Sequence, residues 1–277
     1  MFYEGTEKRL QITLQHSNLL QFPDSFWQEM VRQAGALILS KIENAQVKAY
    51  LLSESSLFVW KNKLLLITCG NTHLVKAAQF FQKELGKENI HSLLFHRHQP
   101  HQPDLQATNF TQDVSILNSH LQGSTKHWRG KYQGDLFLFG EASHGPADTK
   151  QILMCHGLSG SFANSLQAGT VSTKQIECAL ALPEFFPQLH IDQFTFTPKG
   201  YSLNAVSEEH YLTVHITPET LSTYFSLESS FDNQLMQPFI GHLSTLFRPS
   251  QSHLMSFNAS AENCLQVTLS DPDELRL

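Results

Sequence analysis

Residues 46–68 constrain this fold more than any other part of the chain. Three apolar, strand-like runs at 46–52, 57–60 and 63–68 follow one another with very little between them. Lys61-Asn62 leaves room only for a tight link between the last two. Strands joined this closely pair antiparallel, because a parallel pair needs a crossover of about a dozen residues or more. Between the first two runs stands Ser53-Glu54-Ser55-Ser56, a clump of polar residues where a solvated strand would alternate them. Two explanations stay open at this point. One is a turn buried between strands; the other is a polar group held inside the protein, where a serine in a dry, strained setting can attack its own backbone. Taken alone, a surface turn is the plainer account.

The rest of the chain extends the pattern. Residues 10–14, 90–95, 135–139, 151–154, 193–197, 211–217, 224–227, 253–257 and 265–269 read as strands. Helices are fewer. One starts at Pro23-Asp24-Ser25 and runs toward Leu39 through Phe26, Met30 and Ala34, and 72–85 carries Leu74, Ala77, Phe80, Phe81 and Leu85 on one side. Residues 111–121 place Val114, Leu117 and Leu121 together, a short helix falls near 176–182, and 233–247 turns Leu235, Phe239, Ile240, Leu243 and Leu246 inward. The His-, Gln- and Pro-rich stretch 96–112 reads as a long loop, and 157–173 is rich in small residues and weakly patterned. Clustered strands with few, separated helices predict an α+β fold, helices packed on antiparallel sheets. With 277 residues and 41% hydrophobic content there is enough chain for one large domain or two small ones.

Several function classes drop out early. A net charge of −6 gives no basic footprint for nucleic acid and no polybasic patch for a membrane. No apolar run approaches the roughly 20 residues of a membrane span, and Met1-Phe2-Tyr3-Glu4-Gly5 lacks the plan of a signal peptide. A cytoplasmic protein is expected. The four cysteines (Cys69, Cys155, Cys178, Cys264) show no paired spacing, so structural zinc is not expected and most read as core filler. Cys69 has a local reason to be different. It ends a strand just before a helix, with Thr68 or Asn71 placed to cap it, and a thiol there would ionise more readily; the plainer reading is a buried small residue. His96-Arg97-His98-Gln99-Pro100-His101 has the residue types of a metal site, but it has no i, i+4 pair on a helix, so a polar loop is the better reading.

Five short motifs, each weak alone, fall in one order along the chain. They are Glu4-Gly5-Thr6-Glu7-Lys8, then Leu52-Ser53-Glu54-Ser55-Ser56 leading to Phe58-Val59, then Thr68-Cys69-Gly70 with Thr72. Gly200-Tyr201-Ser202 with Asn204 follows, and His215-Ile216-Thr217-Pro218-Glu219 comes last. In this register the chain resembles the eukaryotic-type S-adenosylmethionine decarboxylases, pyruvoyl enzymes of polyamine synthesis, from Tyr3 to Ser260. The resemblance implies a four-layer αββα sandwich, two antiparallel sheets flanked by helices, made by residues 1–277 as a single domain. It also implies a proenzyme that cuts itself between Glu54 and Ser55 into a small chain 1–54 and a large chain 55–277. The Ser55 hydroxyl would attack the Glu54 carbonyl and turn the amide into an ester. Elimination would leave dehydroalanine, and hydrolysis would give a pyruvoyl group at residue 55 and ammonia.

By the same resemblance His215 is the base for the Ser55 α-proton, a role that suits a neutral imidazole, and Ser202 assists it. The pyruvoyl group would hold the substrate's α-amino group as a Schiff base and draw electrons as carbon dioxide leaves. Cys69 would return a proton to the α-carbon, Glu7 would position substrate and catalytic groups, and Glu4 would be a further active-site acid. Substrate contacts fall on Tyr3, Leu52, Glu54, Phe196 and Glu219. Phe196 and Tyr3 would stack on the adenine of S-adenosylmethionine, Tyr3 standing where the family has phenylalanine, and Glu219 would accept from the ribose hydroxyls.

The chain departs from the family's animal members at their putrescine-binding acids. Those positions read Gln11, Ala147 and Gln151, which leaves Glu228, with Asp148 as a local substitute. A diammonium ion needs carboxylates to offset its desolvation, so no activation by putrescine is expected. No metal is implied, and monomer and homodimer both stay open. A pyruvoyl decarboxylase of free ornithine or arginine is a rival reading, but it leaves Tyr3, Phe196 and Glu219 without a task. A catalytically inactive regulatory homologue should have lost Ser55, Cys69 or His215. With the five motifs together, the interruption at 53–56 no longer reads as a surface turn, and Ser55 is singled out.

Overall fold

Leu10, Ile12 and Leu14 alternate with Arg9, Gln11 and Thr13, and this segment forms strand β1 (Lys8–Leu14), its leucines and isoleucine in an apolar core. The computed structural model describes residues 7–53, 55–100, 102–140, 149–197, 199–218, 223–259 and 265–270. They group into two compact units, one within residues 6–143 and the other from 144 onward.

In the first unit β1 is joined by β2 (Ile38–Glu43), β3 (Lys48–Leu52), β4 (Ser55–Val59), β5 (Lys63–Thr68), β6 (Ile90–His98), β7 (Ser124–Arg129) and β8 (Gln133–Gly140). They make one antiparallel sheet in the order β2-β3-β4-β5-β1-β6-β8-β7. Helices α1 (Asp24–Ala34), α2 (Leu74–Leu85) and α3 (Phe110–Asn118) cover one face. Trp27, Met30, Ala77, Phe81 and Leu117 from the helices meet Leu10, Leu57, Leu66 and Phe95 from the strands. The second unit repeats the plan. Strands β9 (Lys150–His156), β10 (His190–Thr195), β11 (Tyr201–Ser207), β12 (His210–Pro218), β13 (Thr223–Ser229), β14 (Gln251–Ala259) and β15 (Leu265–Ser270) lie in the order β10-β11-β12-β13-β9-β14-β15. Helices α4 (Ser161–Gln167), α5 (Thr173–Leu180), α6 (Leu182–Phe185) and α7 (Asn233–Phe247) pack on one face through Leu166, Ile176, Phe239 and Leu243. Two antiparallel sheets with helices on them bear out the α+β class. Each unit is one sheet with helices on one of its faces.

The differences from expectation have local causes. The first helix does not reach Leu39: Gly35 adopts φ 88° and ends it, and residues 38–43 form the edge strand β2 instead. Leu235 is 47% exposed, and Met236 takes the inward position on α7. Besides β2, the helices α4 and α6 were not foreseen, nor was the exposed edge strand β7, whose polar sequence hides its pairing with β8.

The largest correction falls on residues 96–98, which do not form a loop. They continue β6, burying His96, Arg97 and His98. Among the described residues, no group of three or more His, Cys, Asp and Glu is arranged to hold a metal ion. Arg97 points to the helical side and meets Asp113 of α3 at 2.7 Å, both side chains nearly fully buried. Removing one partner of such a pair strands the other charge, so Asp113→Ala should cost about 3–5 kcal/mol. Urea unfolding would register this as a lower midpoint, and an unchanged midpoint would refute it. No helix among the described residues is long and apolar enough to cross a membrane.

Candidate active site

In the first unit the predicted residues gather where β4, β5 and β1 run side by side. Register pairs Ser55 with Thr68 and Thr68 with Lys8, so Ser55, Cys69 and Glu7 come to one end of three adjacent strands. Ser55 is also opposite Leu52, which makes residues 53 and 54 a two-residue connection between β3 and β4. Ser53 fixes that connection: its backbone N–H donates to Leu37 O at 2.8 Å, and its hydroxyl accepts from Leu37 N–H at 3.0 Å. Ser55 and Ser56 are buried, which removes the surface-turn reading. Ser55 has φ 136°, a backbone conformation that L-residues seldom adopt. Holding a non-glycine residue there costs on the order of 1–3 kcal/mol.

Cys69 is buried, but its setting is not a helix terminus. Helix α2 begins at Leu74 with His73 before it, and neither Thr68 nor Asn71 caps it. The turn is built around Lys8 instead. Its buried ammonium donates to the carbonyls of Gly70 and Thr72, each at 2.8 Å, and Thr72 Oγ1 lies 2.8 Å from Thr68 Oγ1 and 3.0 Å from the Cys69 carbonyl. Gly70 at φ 60° lets the chain bend round that charge. The two carbonyls, with Thr72 Oγ1 at 3.4 Å, offset the cost of burying the ammonium, which also fixes the backbone carrying the thiol. Glu7 is equally enclosed, with Arg9 donating to its carboxylate. Arg9 Nη1 is 3.5 Å from His96 Nδ1, and His96 Nε2 is 2.6 Å from the Tyr132 hydroxyl, a phenol whose pKa burial pushes up.

In the second unit the helix-free face of the sheet carries the polar residues. Ser202 and His215 sit opposite each other on β11 and β12, and Ser202 Oγ is 3.0 Å from His215 Nδ1. One pair further along, Asn204 faces Thr213, whose Oγ1 donates to Asn204 Oδ1 at 3.1 Å and lies 2.9 Å from His215 Nε2. On β13, Glu228 accepts from the Tyr211 hydroxyl at 2.7 Å and lies 3.9 Å from the Lys150 ammonium, all three buried. Phe196 follows β10 in the turn closed by its N–H to Gly200 O, and its ring meets Phe194 edge-on at 5.0 Å. Tyr3, Glu4, Glu54, Ala147, Asp148 and Glu219 lie outside the described residues.

Sequence reasoning passed over Lys8, Arg9, Thr213 and Lys150. Two of them had a visible signal: Lys8 and Arg9 directly follow Glu7 inside an alternating strand, and consecutive charges there must point to opposite faces, so at least one is enclosed.

The sequence matches the adenosylmethionine decarboxylase family over residues 1–275. It is 28% identical to the S-adenosylmethionine decarboxylase proenzyme of Drosophila melanogaster, over 90% of this chain and 81% of that one. It is 25% identical to the proenzyme of Xenopus laevis, over 95% and 85%, and 27% identical to proenzyme 2 of Arabidopsis thaliana, over 97% and 83%. Its fold is like that in the crystal structure of the Trypanosoma brucei AdoMetDC-delta26 monomer, with TM-score 0.58 and 20% identity over 73% of this chain and 80% of that one. The chain belongs to the adenosylmethionine decarboxylase family.

Proposed function

We propose that this chain decarboxylates S-adenosylmethionine to the aminopropyl donor of spermidine and spermine synthesis, after cutting itself between Glu54 and Ser55. The observation that carries the reading is Ser55: buried, at the first position of β4, and held at φ 136°. Strain at that residue raises the energy of the precursor and is relieved when the chain opens there. The Ser55 hydroxyl adds to the Glu54 carbonyl, the peptide C–N bond breaks, and an ester takes its place. His215, aided by Ser202, then removes the Ser55 α-proton. The electron pair closes the Cα–Cβ double bond and the Glu54 carboxylate leaves. Water releases ammonia from the new N-terminus and leaves a ketone.

The surroundings of position 55 fit a pyruvoyl group: an enclosed site, a strand partner in Leu52, and a thiol on the neighbouring turn. Such a group supplies the electron sink that loss of carbon dioxide requires. The chain's own residues do the rest. Cys69 delivers the proton to the substrate's α-carbon, from a turn that Lys8 holds still. Glu7, fixed by Arg9, and Glu4 orient the reacting groups. Phe196 and Tyr3 hold the adenine, Leu52 and Glu54 complete the substrate contacts, and Glu219 clamps the ribose. Glu228 is already engaged by Tyr211 and Lys150, so a diamine finds little carboxylate to offset its desolvation.

Carboxyl-labelled S-adenosylmethionine, ornithine and arginine, each with and without millimolar putrescine, test the reading. Label should leave only the first, at a rate that putrescine does not change. Release from a free amino acid would move the activity to the rival class. Several-fold stimulation by putrescine would overturn the account of Glu228. No release from any of the three, with the chain intact under denaturing mass spectrometry, would indicate an inactive homologue.

A further inference from the structure

Asn204 belongs to the Gly-Tyr-Ser-x-Asn motif, yet neither it nor Thr213 has a part in the chemistry above. Both are buried, Asn204 fully, on the same sheet face as Ser202 and His215. We infer that Asn204 and Thr213 are positioning residues that fix the tautomer of His215, keeping its proton on Nε2 and the lone pair of Nδ1 turned to Ser202; this rests on the reading of His215 as the processing base.

The argument follows the hydrogens. A threonine hydroxyl has one proton, and that of Thr213 goes to Asn204 Oδ1 at 3.1 Å. The contact of 2.9 Å between Thr213 Oγ1 and His215 Nε2 must then be donated by the ring, Nε2–H to oxygen. In a neutral imidazole only one nitrogen carries hydrogen, so Nδ1 is the basic atom, and Ser202 Oγ 3.0 Å away donates to it. The order is Ser202 O–H to Nδ1, Nε2–H to Thr213, and Thr213 O–H to the Asn204 carbonyl. When Nδ1 takes a proton the ring becomes a cation, and the Nε2–H bond to Thr213 strengthens rather than breaks. The strand register makes this possible, since Ser-x-Asn on β11 and Thr-x-His on β12 each place two side chains on one face, pair opposite pair. Other charges on that face are Glu228, opposite Thr213 and engaged by Tyr211 and Lys150, and Asp192, opposite Asn204.

Two measurements test the inference. In a Ser55→Ala chain, which stays a uniform precursor, long-range ¹H–¹⁵N correlations of neutral His215 should show a protonated Nε2 and an unprotonated Nδ1. Adding Thr213→Val should abolish that pattern, and adding Thr213→Ser should keep it. In chains that retain Ser55, cleavage should slow by about tenfold or more for Thr213→Val and stay within about threefold of the parent for Thr213→Ser. His215→Ala runs alongside. If it cleaves at the parent rate, the reading of His215 as base fails, and the inference with it. If it is slow while Thr213→Val cleaves like the parent, or Thr213→Ser fails to rescue, the relay alone is overturned. Should Thr213→Val not fold, the Ser55→Ala spectrum still decides, because a proton on Nδ1 there contradicts the arrangement.

Discussion

Ser55→Ala should yield one uncut polypeptide of 31.4 kDa with no release of carbon dioxide from S-adenosylmethionine. The loss is complete because one residue would serve twice. Its hydroxyl would be the nucleophile that opens the chain and its carbon skeleton would become the electron sink, so without that hydroxyl neither event has a starting point. Strain alone cannot replace it: φ 136° raises the energy of the precursor, but by only about 1–3 kcal/mol, a small part of a peptide-bond cleavage barrier. Ser53→Ala is the matching control. The Ser53 oxygen accepts from Leu37 N–H, a bond that shapes the connection, and that variant should still be cut before residue 55. Denaturing mass spectrometry separates the cases. Two fragments from Ser55→Ala would place the scission at another residue and remove the basis of the functional reading.

Cys69→Ala should leave cleavage intact and lower turnover by about 10²–10⁴-fold, the range for losing a positioned proton donor. The competing view is that Cys69 merely fills space, as most buried cysteines do. The two views part on what changes. A packing role predicts a lower melting temperature with little change in rate per folded molecule; a donor role predicts the reverse. The Lys8 anchorage favours the second, since the Lys8 bonds to the Gly70 and Thr72 carbonyls tie the turn holding Cys69 through its backbone. Turnover within about threefold of the parent for Cys69→Ala would exclude the donor role.

Much of this was legible from the residues. The short links around residues 46–68 required antiparallel pairing, and the five motifs named the family before any geometry was known. The remainder was hidden for physical reasons. Residues 96–98 looked like a loop because three polar side chains in a row normally seek water; here Arg97 is matched by Asp113, a partner 16 positions away that no local pattern announces. Edge strands β2 and β7 were missed because half-solvated strands carry mixed sequences. The cradle of Cys69 was misassigned to a helix terminus because the cation that builds it, Lys8, is 62 residues from the carbonyl of Gly70 that it holds. Asn204 and Thr213 gained meaning only once register set them side by side.

The position of β1 within its sheet has a consequence for what the cut would produce. β1 is an interior strand, paired with β5 on one side and β6 on the other, while β3 pairs with β4. Scission before Ser55 would assign β1, β2 and β3 to one product and the remaining strands of that sheet to the other. The nick would fall in a two-residue connection, so the strand pairings on either side would stay in place. The 1–54 piece would therefore be no detachable propeptide. It would be a permanent subunit, interleaved with its sister and carrying Glu7 and Arg9, and only denaturation would separate the two.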